Sequence, residues 1–252
     1  MALLHVNFSS DTLNLKMAMD VILPERPCPF EDGKWPTLYL LHGLSDDHSI
    51  WQRRTSIERY VDDMDLAVVM PSVHRSFYTD MKHGMHFWTF ISEELPAICE
   101  RMFPLSTKRE NRYAAGLSMG GYGAFKLGLL KPDRYAAVAS LSGAVDMVAM
   151  AAKDHDDKDE QFFTDIFGDL EEMTGSDDDL VAAAERLADA DGVKPKFYMA
   201  CGTEDFLYDI NVDFYEAFGA RLGIRYEEGP GAHTWAFWDE YIQRVLKWLP
   251  LP

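Results

Sequence analysis

RYAAGLSMGGYGAFKLGL (112–129) reads as a short apolar strand that turns abruptly into a helix. At the turn lies Gly116-Leu117-Ser118-Met119-Gly120, followed by Gly121. A G-x-S-x-G run between a strand and a helix is the pattern of a nucleophile elbow, a turn tight enough to force strained dihedrals on the serine. The flanking glycines follow from that tightness, because a Cβ there would strike the neighbouring strand or helix. The start of the helix points backbone N–H groups to where negative charge develops when the serine attacks a carbonyl. Ser118 is therefore the candidate nucleophile.

Outward from this stretch, apolar strand-like runs alternate with helix-like ones. TLYLLHG (37–43), LAVVMP (66–71), YAAVASLS (135–142) and KFYMACG (196–202) are short and continuously apolar, as parallel strands buried on both faces must be. Helices are expected around 49–63, 87–103, 119–131, 209–222 and 235–249. The opening reads as strand, with Leu13, Leu15, Met17, Met19 and Val21 alternating with polar or small residues. The alternation predicts an α/β chain with a mostly parallel sheet, right-handed crossovers and helices on both faces, in one domain over 1–252. About fifty residues separate Ser142 from Lys196, too many for a simple connection. Residues 146–194 are expected to form a helical, lid-like insertion, with a helix starting near Ser176 and Asp179 three positions on.

A serine hydroxyl needs a base to take its proton. The histidines after Ser118 are His155 and His233. His155 sits in an acidic run away from any strand end, whereas His233 follows the last strand, IRYEEGPG, in a loop before the final helix, where the base belongs. For the acid, CGTED (201–205) leaves the preceding strand and offers Asp205, with Glu204 as the alternative; its task is to fix the His233 tautomer and stabilise the imidazolium. The oxyanion hole is expected at the backbone N–H groups of Met119 and Leu44, with Gly43 letting the loop turn and His42 holding it by hydrogen bonds. Trp51, Phe87 and Trp88 are expected to wall a short acyl pocket.

Bulk properties exclude other classes. The formal net charge is −18, which disfavours phosphate backbones and anionic lipid surfaces, so neither nucleic acid nor membrane is an expected partner. Residues 146–194 hold sixteen Asp or Glu against four Lys or Arg, a net −12; such an insertion beside the site is expected to disfavour anionic substrates, less so as ionic strength rises. Cys28, Cys99 and Cys201 are odd in number and lack a CxxC pair, which argues against a disulfide framework or a zinc site. The N-terminus has no basic flank or cleavage site, and no apolar run is long enough to span a bilayer, so the cytoplasm is the expected location. Asp80, His83 and His86 fit no familiar metal pattern, and the acidic run 154–160 lacks the spacing of a calcium loop. Local structure and solvation are expected there, as for Glu93-Glu94 on a helical turn.

Together these residues resemble the esterase D-like branch of the α/β-hydrolases, and most closely the tributyrin esterases. The resemblance rests on LLHGLSDDHSIW (40–51), IERYV (57–61), MHFWTFISEELP (85–96), the elbow stretch 112–129, CGTEDFLY (201–208) and HTWAFWDEYIQRVLKWLP (233–250). It spans nearly the whole chain. It implies a serine carboxylesterase that hydrolyses small short-chain acyl esters without a cofactor or metal, with the triad on Ser118, Asp205 and His233 and oxyanion donors on Leu44 and Met119. Whether copies of the chain associate stays open. S-formylglutathione hydrolases of this branch typically carry a cysteine after the oxyanion-loop glycine and a histidine before the elbow serine; here those places hold Ser45 to Asp47 and Leu117. A thioesterase of that type, or a feruloyl or acetyl-sugar esterase, is the alternative reading.

Overall fold

A computed structural model describes the backbone of residues 1–152 and 157–252, and the side chains of these except 157–159. His155 and most of the acidic run 154–160 therefore lie outside the described residues.

The opening differs from a single strand. It is a hairpin of β1 (Ala2–Ser10) and β2 (Leu15–Leu23), antiparallel, turning over residues 11–14 with Asn14 at φ 49. An asparagine tolerates that left-handed conformation better than most residues. The turn is held from across the fold by Glu94, whose carboxylate accepts from the Asp11 N–H at 2.7 Å and from the Ser10 hydroxyl.

The strands β3 (Thr37–Leu41), β4 (Ala67–Pro71), β5 (Arg112–Leu117), β6 (Ala137–Leu141), β7 (Lys196–Gly202) and β8 (Arg225–Gly229) complete an eight-stranded sheet in the order β1-β2-β4-β3-β5-β6-β7-β8. Pairing is parallel from β4 to β8 and antiparallel where β2 meets β4. Every residue of β3 to β6 is buried, and the period-two alternation divides them between two cores. Tyr39 and Leu41 join the layer on one face, while Leu38 and Leu40 pack with Trp51, Tyr113 and Trp238 on the other. β8 lies at the far edge, where Arg225, Glu227 and Glu228 protect it from pairing further.

Between β3 and β4 the expected single helix is two short ones, α1 (Ile50–Arg54) and α2 (Ile57–Tyr60). After β4, α3 (Phe87–Thr89) runs through a π-helical turn at Phe90–Glu94 into α4 (Leu95–Met102). Pro96 has no N–H to give its preceding turn. The Ser92 carbonyl accepts instead from the Arg134 guanidinium at 2.6 Å. The bulge re-registers the helix so that Glu93 pairs with Lys131 and Arg134 while Glu94 reaches the hairpin turn. The helix α5 (Met119–Leu130) follows β5 directly and is buried along nearly its whole length.

The long connection after β6 carries α6 (Met147–Ala151), α7 (Asp157–Phe167), α8 (Leu170–Met173) and α9 (Leu180–Asp189). Asp179 is the N-cap of α9, accepting from the Ala182 N–H at 3.0 Å, so that helix begins after Asp179 and not near Ser176. Asp169 and Glu172 form a capping box on α8. The connection is tied to α5 by a buried cation: Lys126 Nζ pairs with the Asp178 carboxylate and donates to Thr79 Oγ1 at 2.9 Å, and Tyr122 donates to the Asp178 carbonyl at 2.8 Å. The chain ends with α10 (Tyr208–Leu222), closed by Gly223 in the left-handed conformation, and α11 (Trp235–Trp248). Among the described residues no helix is long and apolar enough to cross a membrane.

Candidate active site

The elbow is held by two close approaches. A Cβ on Gly116 would lie 2.3 Å from the Gly120 carbonyl oxygen, and one on Gly120 would lie 2.5 Å from that of Leu41. Only glycine allows β5, β3 and α5 to meet at these distances. Ser118 sits at the crossing with φ 53, a strained conformation for a residue with a side chain. Its N–H donates to the Leu141 carbonyl at 2.9 Å, which ties the turn to β6.

The crossing places Ser118 Oγ 3.0 Å from His233 Nε2, and His233 Nδ1 lies 2.9 and 3.0 Å from the two oxygens of Asp205. Asp205 is wholly buried at its side chain, and His233 is one-fifth exposed. Burial works to raise the Asp205 carboxyl. The His233 hydrogen bond, and the Leu207 N–H donating at 2.9 Å, outweigh it and hold the group below the ordinary carboxylate range. An ionised carboxylate can only accept, so Nδ1 carries the imidazole proton and Nε2 is left to accept from the serine.

The two adjacent carboxylates point to different tasks. Glu204 is exposed and accepts from the Gly231 N–H and from the Thr203 hydroxyl. The Glu204 N–H in turn donates to the Gly231 carbonyl at 3.0 Å, so this residue clamps the loop that carries His233.

Leu44 lies in the turn after β3 and Met119 opens α5 directly after Ser118, and among the described residues neither N–H has a hydrogen-bond acceptor in the protein. His42 is buried beneath that turn. The Val73 N–H donates to its Nε2 at 3.0 Å, so Nδ1 is the protonated nitrogen and donates to the Gly43 carbonyl at 2.7 Å. Burial lowers the His42 pKa to about 4. The unfolded chain, with imidazole near 6.5, binds a proton that the folded chain refuses until about pH 4. Stability is thus expected to fall as pH drops from about 6.5 to about 4. Urea unfolding at stepped pH should show that slope, and His42→Asn should lose its share of it.

The expected pocket wall is corrected in two of three places. Phe87 lines a cavity of about 700 Å³ that also borders Leu44. Trp51 does not. It is 0% exposed, its indole N–H donates to the Leu41 carbonyl at 3.0 Å, and its ring meets Trp235 edge-on; a buried indole must find an acceptor, and the end of β3 supplies it. Trp88 lies under the Lys126 ammonium, 4.7 Å from Nζ, and borders a separate hollow with Lys131 and Pro132. Asp80 serves local structure, accepting from the Thr89 N–H at 2.9 Å and from its hydroxyl.

Two neighbours of His233 have no signature in the sequence. Phe206, 71% exposed, covers the imidazole at 4.6 Å, and Trp238 meets it edge-on at 4.8 Å while donating to Ser142 Oγ at 3.1 Å.

A serine on an elbow, an imidazole within hydrogen-bond reach and a buried carboxylate behind it, all at the carboxyl edge of a mostly parallel sheet, define a serine hydrolase of the α/β-hydrolase fold. Residues 10–249 match the family model described as "Putative esterase", and the chain belongs to this esterase family, the esterase D-like group. An acetyl esterase of Caldicellulosiruptor saccharolyticus is 33% identical over 99% of this chain and 98% of its own. Among solved structures, the fluorophosphonate-binding serine hydrolase F (FphF) of Staphylococcus aureus, with substrate bound, superposes with a TM-score of 0.88 at 35% identity, covering 98% of both chains. An S-formylglutathione hydrolase (FrmB) of the same organism gives 0.86 at 35% identity, also over 98% of both. The protein is a serine esterase, a carboxylic ester hydrolase.

Proposed function

We propose that the protein hydrolyses esters of short acyl chains, acetyl to butyryl, through Ser118, His233 and Asp205. The observation that carries this reading is the unbroken line from Ser118 Oγ to His233 Nε2 at 3.0 Å and from His233 Nδ1 to Asp205 at 2.9 Å. Ser118 Oγ attacks the ester carbonyl as its proton passes to Nε2. The Asp205 carboxylate stabilises the imidazolium that forms. The carbonyl oxygen, now an oxyanion, is received by the unengaged N–H groups of Leu44 and Met119. Collapse breaks the bond to the alcohol oxygen, which takes the proton from Nε2 and leaves an acyl group on Ser118. Water, deprotonated by His233, repeats the sequence and frees the acid.

Two things support the short acyl chain. The acetyl esterase relative carries that activity in its name, and Phe87 puts a large, nearly buried ring on the wall of the cavity beside Leu44. A thioester reading has its own support in the likeness to the staphylococcal S-formylglutathione hydrolase, since the same steps act on a thioester carbonyl. Three free cysteines agree with work in the cytoplasm. One substrate panel separates these readings: nitrophenyl esters of graded length, S-formylglutathione, methyl ferulate and an acetylated sugar. kcat/KM should peak between acetyl and butyryl. A continued rise through dodecanoyl would overturn the short-chain reading, and S-formylglutathione turned over more than about tenfold faster than every oxygen ester would replace it with the thioesterase one.

A further inference from the structure

The cavity beside Leu44 holds a cation, Arg75, that no carboxylate pairs with among the described residues. Arg75 is exposed on its wall, with its guanidinium over the face of Phe162, 4.2 Å from the ring centroid. Among the described residues it makes no ion pair, in a chain of 42 acidic and 24 basic residues. The acidic insertion behaves in the opposite way. Glu172 pairs with Lys82, Asp177 with Arg186, Glu185 and Asp189 with Arg221, and Asp178 with Lys126. Five of its carboxylates are thus paired, and at the cavity the described charged side chains are Arg75 and, from the oxyanion-loop side, Asp46.

The loop that presents Arg75 is built under strain. His74, Phe77 and Tyr78 have φ values of 53, 51 and 55, in the left-handed region, and none is glycine. Such conformations persist only where the surroundings over-determine them, and they concentrate at ligand sites. Here the pins are on both sides of Arg75: the Val73 N–H bonds to His42, and the Tyr78 hydroxyl donates to the His42 carbonyl at 3.0 Å. The same His42 holds the oxyanion loop through Gly43, so Arg75 and the N–H of Leu44 share one rigid support. A guanidinium stacked on an aromatic face keeps its N–H edge free, and that edge matches a carboxylate with two parallel hydrogen bonds.

Resting on the ester-hydrolase reading above, we propose that this cavity is a subsite for a carboxylate that the ester substrate carries away from its scissile bond, with Arg75 as the partner of that carboxylate. Phe162 orients the guanidinium. Asp46 borders the same cavity from the oxyanion-loop side, which confines an anion to the Arg75 end and disfavours a dianion such as a phosphate monoester. One positive charge fits one negative charge.

The test uses two pairs of esters that differ only in charge. On the alcohol side these are 4-acetoxybenzoate and its methyl ester; on the acyl side, mono-4-nitrophenyl glutarate and its methyl ester. The quantity read is the ratio of kcat/KM for the carboxylate over that for its neutral partner. A charge-assisted bidentate contact, partly screened, should make Arg75→Gln lower this ratio about tenfold in at least one pair, chiefly through KM. In the wild type that ratio should also fall as salt is added, and in Arg75→Gln it should be nearly flat. The responding pair tells whether the subsite holds the acyl or the alcohol part. Ratios unchanged by Arg75→Gln in both pairs would overturn the subsite. Loss of the ester-hydrolase reading would look different, since the neutral esters would then fail in the wild type as well.

Discussion

Ser118→Ala is expected to lower kcat for ester hydrolysis by about 10³-fold or more while leaving the fold in place. The oxygen that would bond to the acyl carbon is gone, and nothing adjacent replaces it: His233 Nε2 faces Ser118 Oγ at 3.0 Å and would be left to act on water alone. In serine hydrolases the residual rate after such a loss comes from the oxyanion donors and from binding, and stays far below the intact array. Removing one hydroxyl from a strained residue should not cost stability, because φ 53 at Ser118 is fixed by the glycine contacts around it and by the bond from its N–H to Leu141, neither of which uses the side chain. Steady-state kinetics with a far-UV CD melt on the same preparation checks both halves. Turnover near the wild-type value would end the serine mechanism.

Asp205→Asn should cost at least about 10²-fold in kcat with little change in KM. The amide keeps the shape but loses the charge, and it can turn its NH₂ toward Nδ1. The ring would then hold its proton on Nε2, facing Ser118 and unable to accept from it; in a serine protease the corresponding change costs about 10⁴-fold. Glu204→Gln is the paired control. Its carboxylate clamps Gly231 and not the imidazole, so a loosened His233 loop and a much smaller loss are expected. The reverse order of the two effects, measured on folded variants, would move the acid to Glu204.

Much of this site is legible in the chain because chemistry limits where its parts can lie. The elbow needs glycine at 116 and 120 for backbone approach, and that need is written in residue type. Asp205 and His233 follow from the ends of the last two strands, since a parallel sheet brings strand ends to one edge. What the sequence hides depends on partners distant along the chain. The alternation in the first residues fits one strand as well as two, and only Asn14 marks the turn. The π-helical turn at 90–94 leaves the apolar pattern nearly intact, while its cause, Pro96 with Arg134 answering the Ser92 carbonyl, spans more than a helix. Trp51 carries no mark that its indole would turn inward to the Leu41 carbonyl. Asp205 comes before Glu204 in the reading of the sequence, but what separates the two adjacent carboxylates, burial of Asp205 and exposure of Glu204, is visible only in the fold.

The most direct measurement is covalent capture. The purified protein is treated with an aryl phosphonate that leaves a stable phosphonyl ester on an activated serine, and is then followed by intact mass and peptide mapping. One adduct per chain is expected, on Ser118, formed in step with loss of esterase activity, absent in Ser118→Ala and strongly slowed in His233→Ala. Complete loss of activity with the adduct on another residue, or full activity retained after Ser118 is quantitatively modified, would contradict a mechanism centred on Ser118.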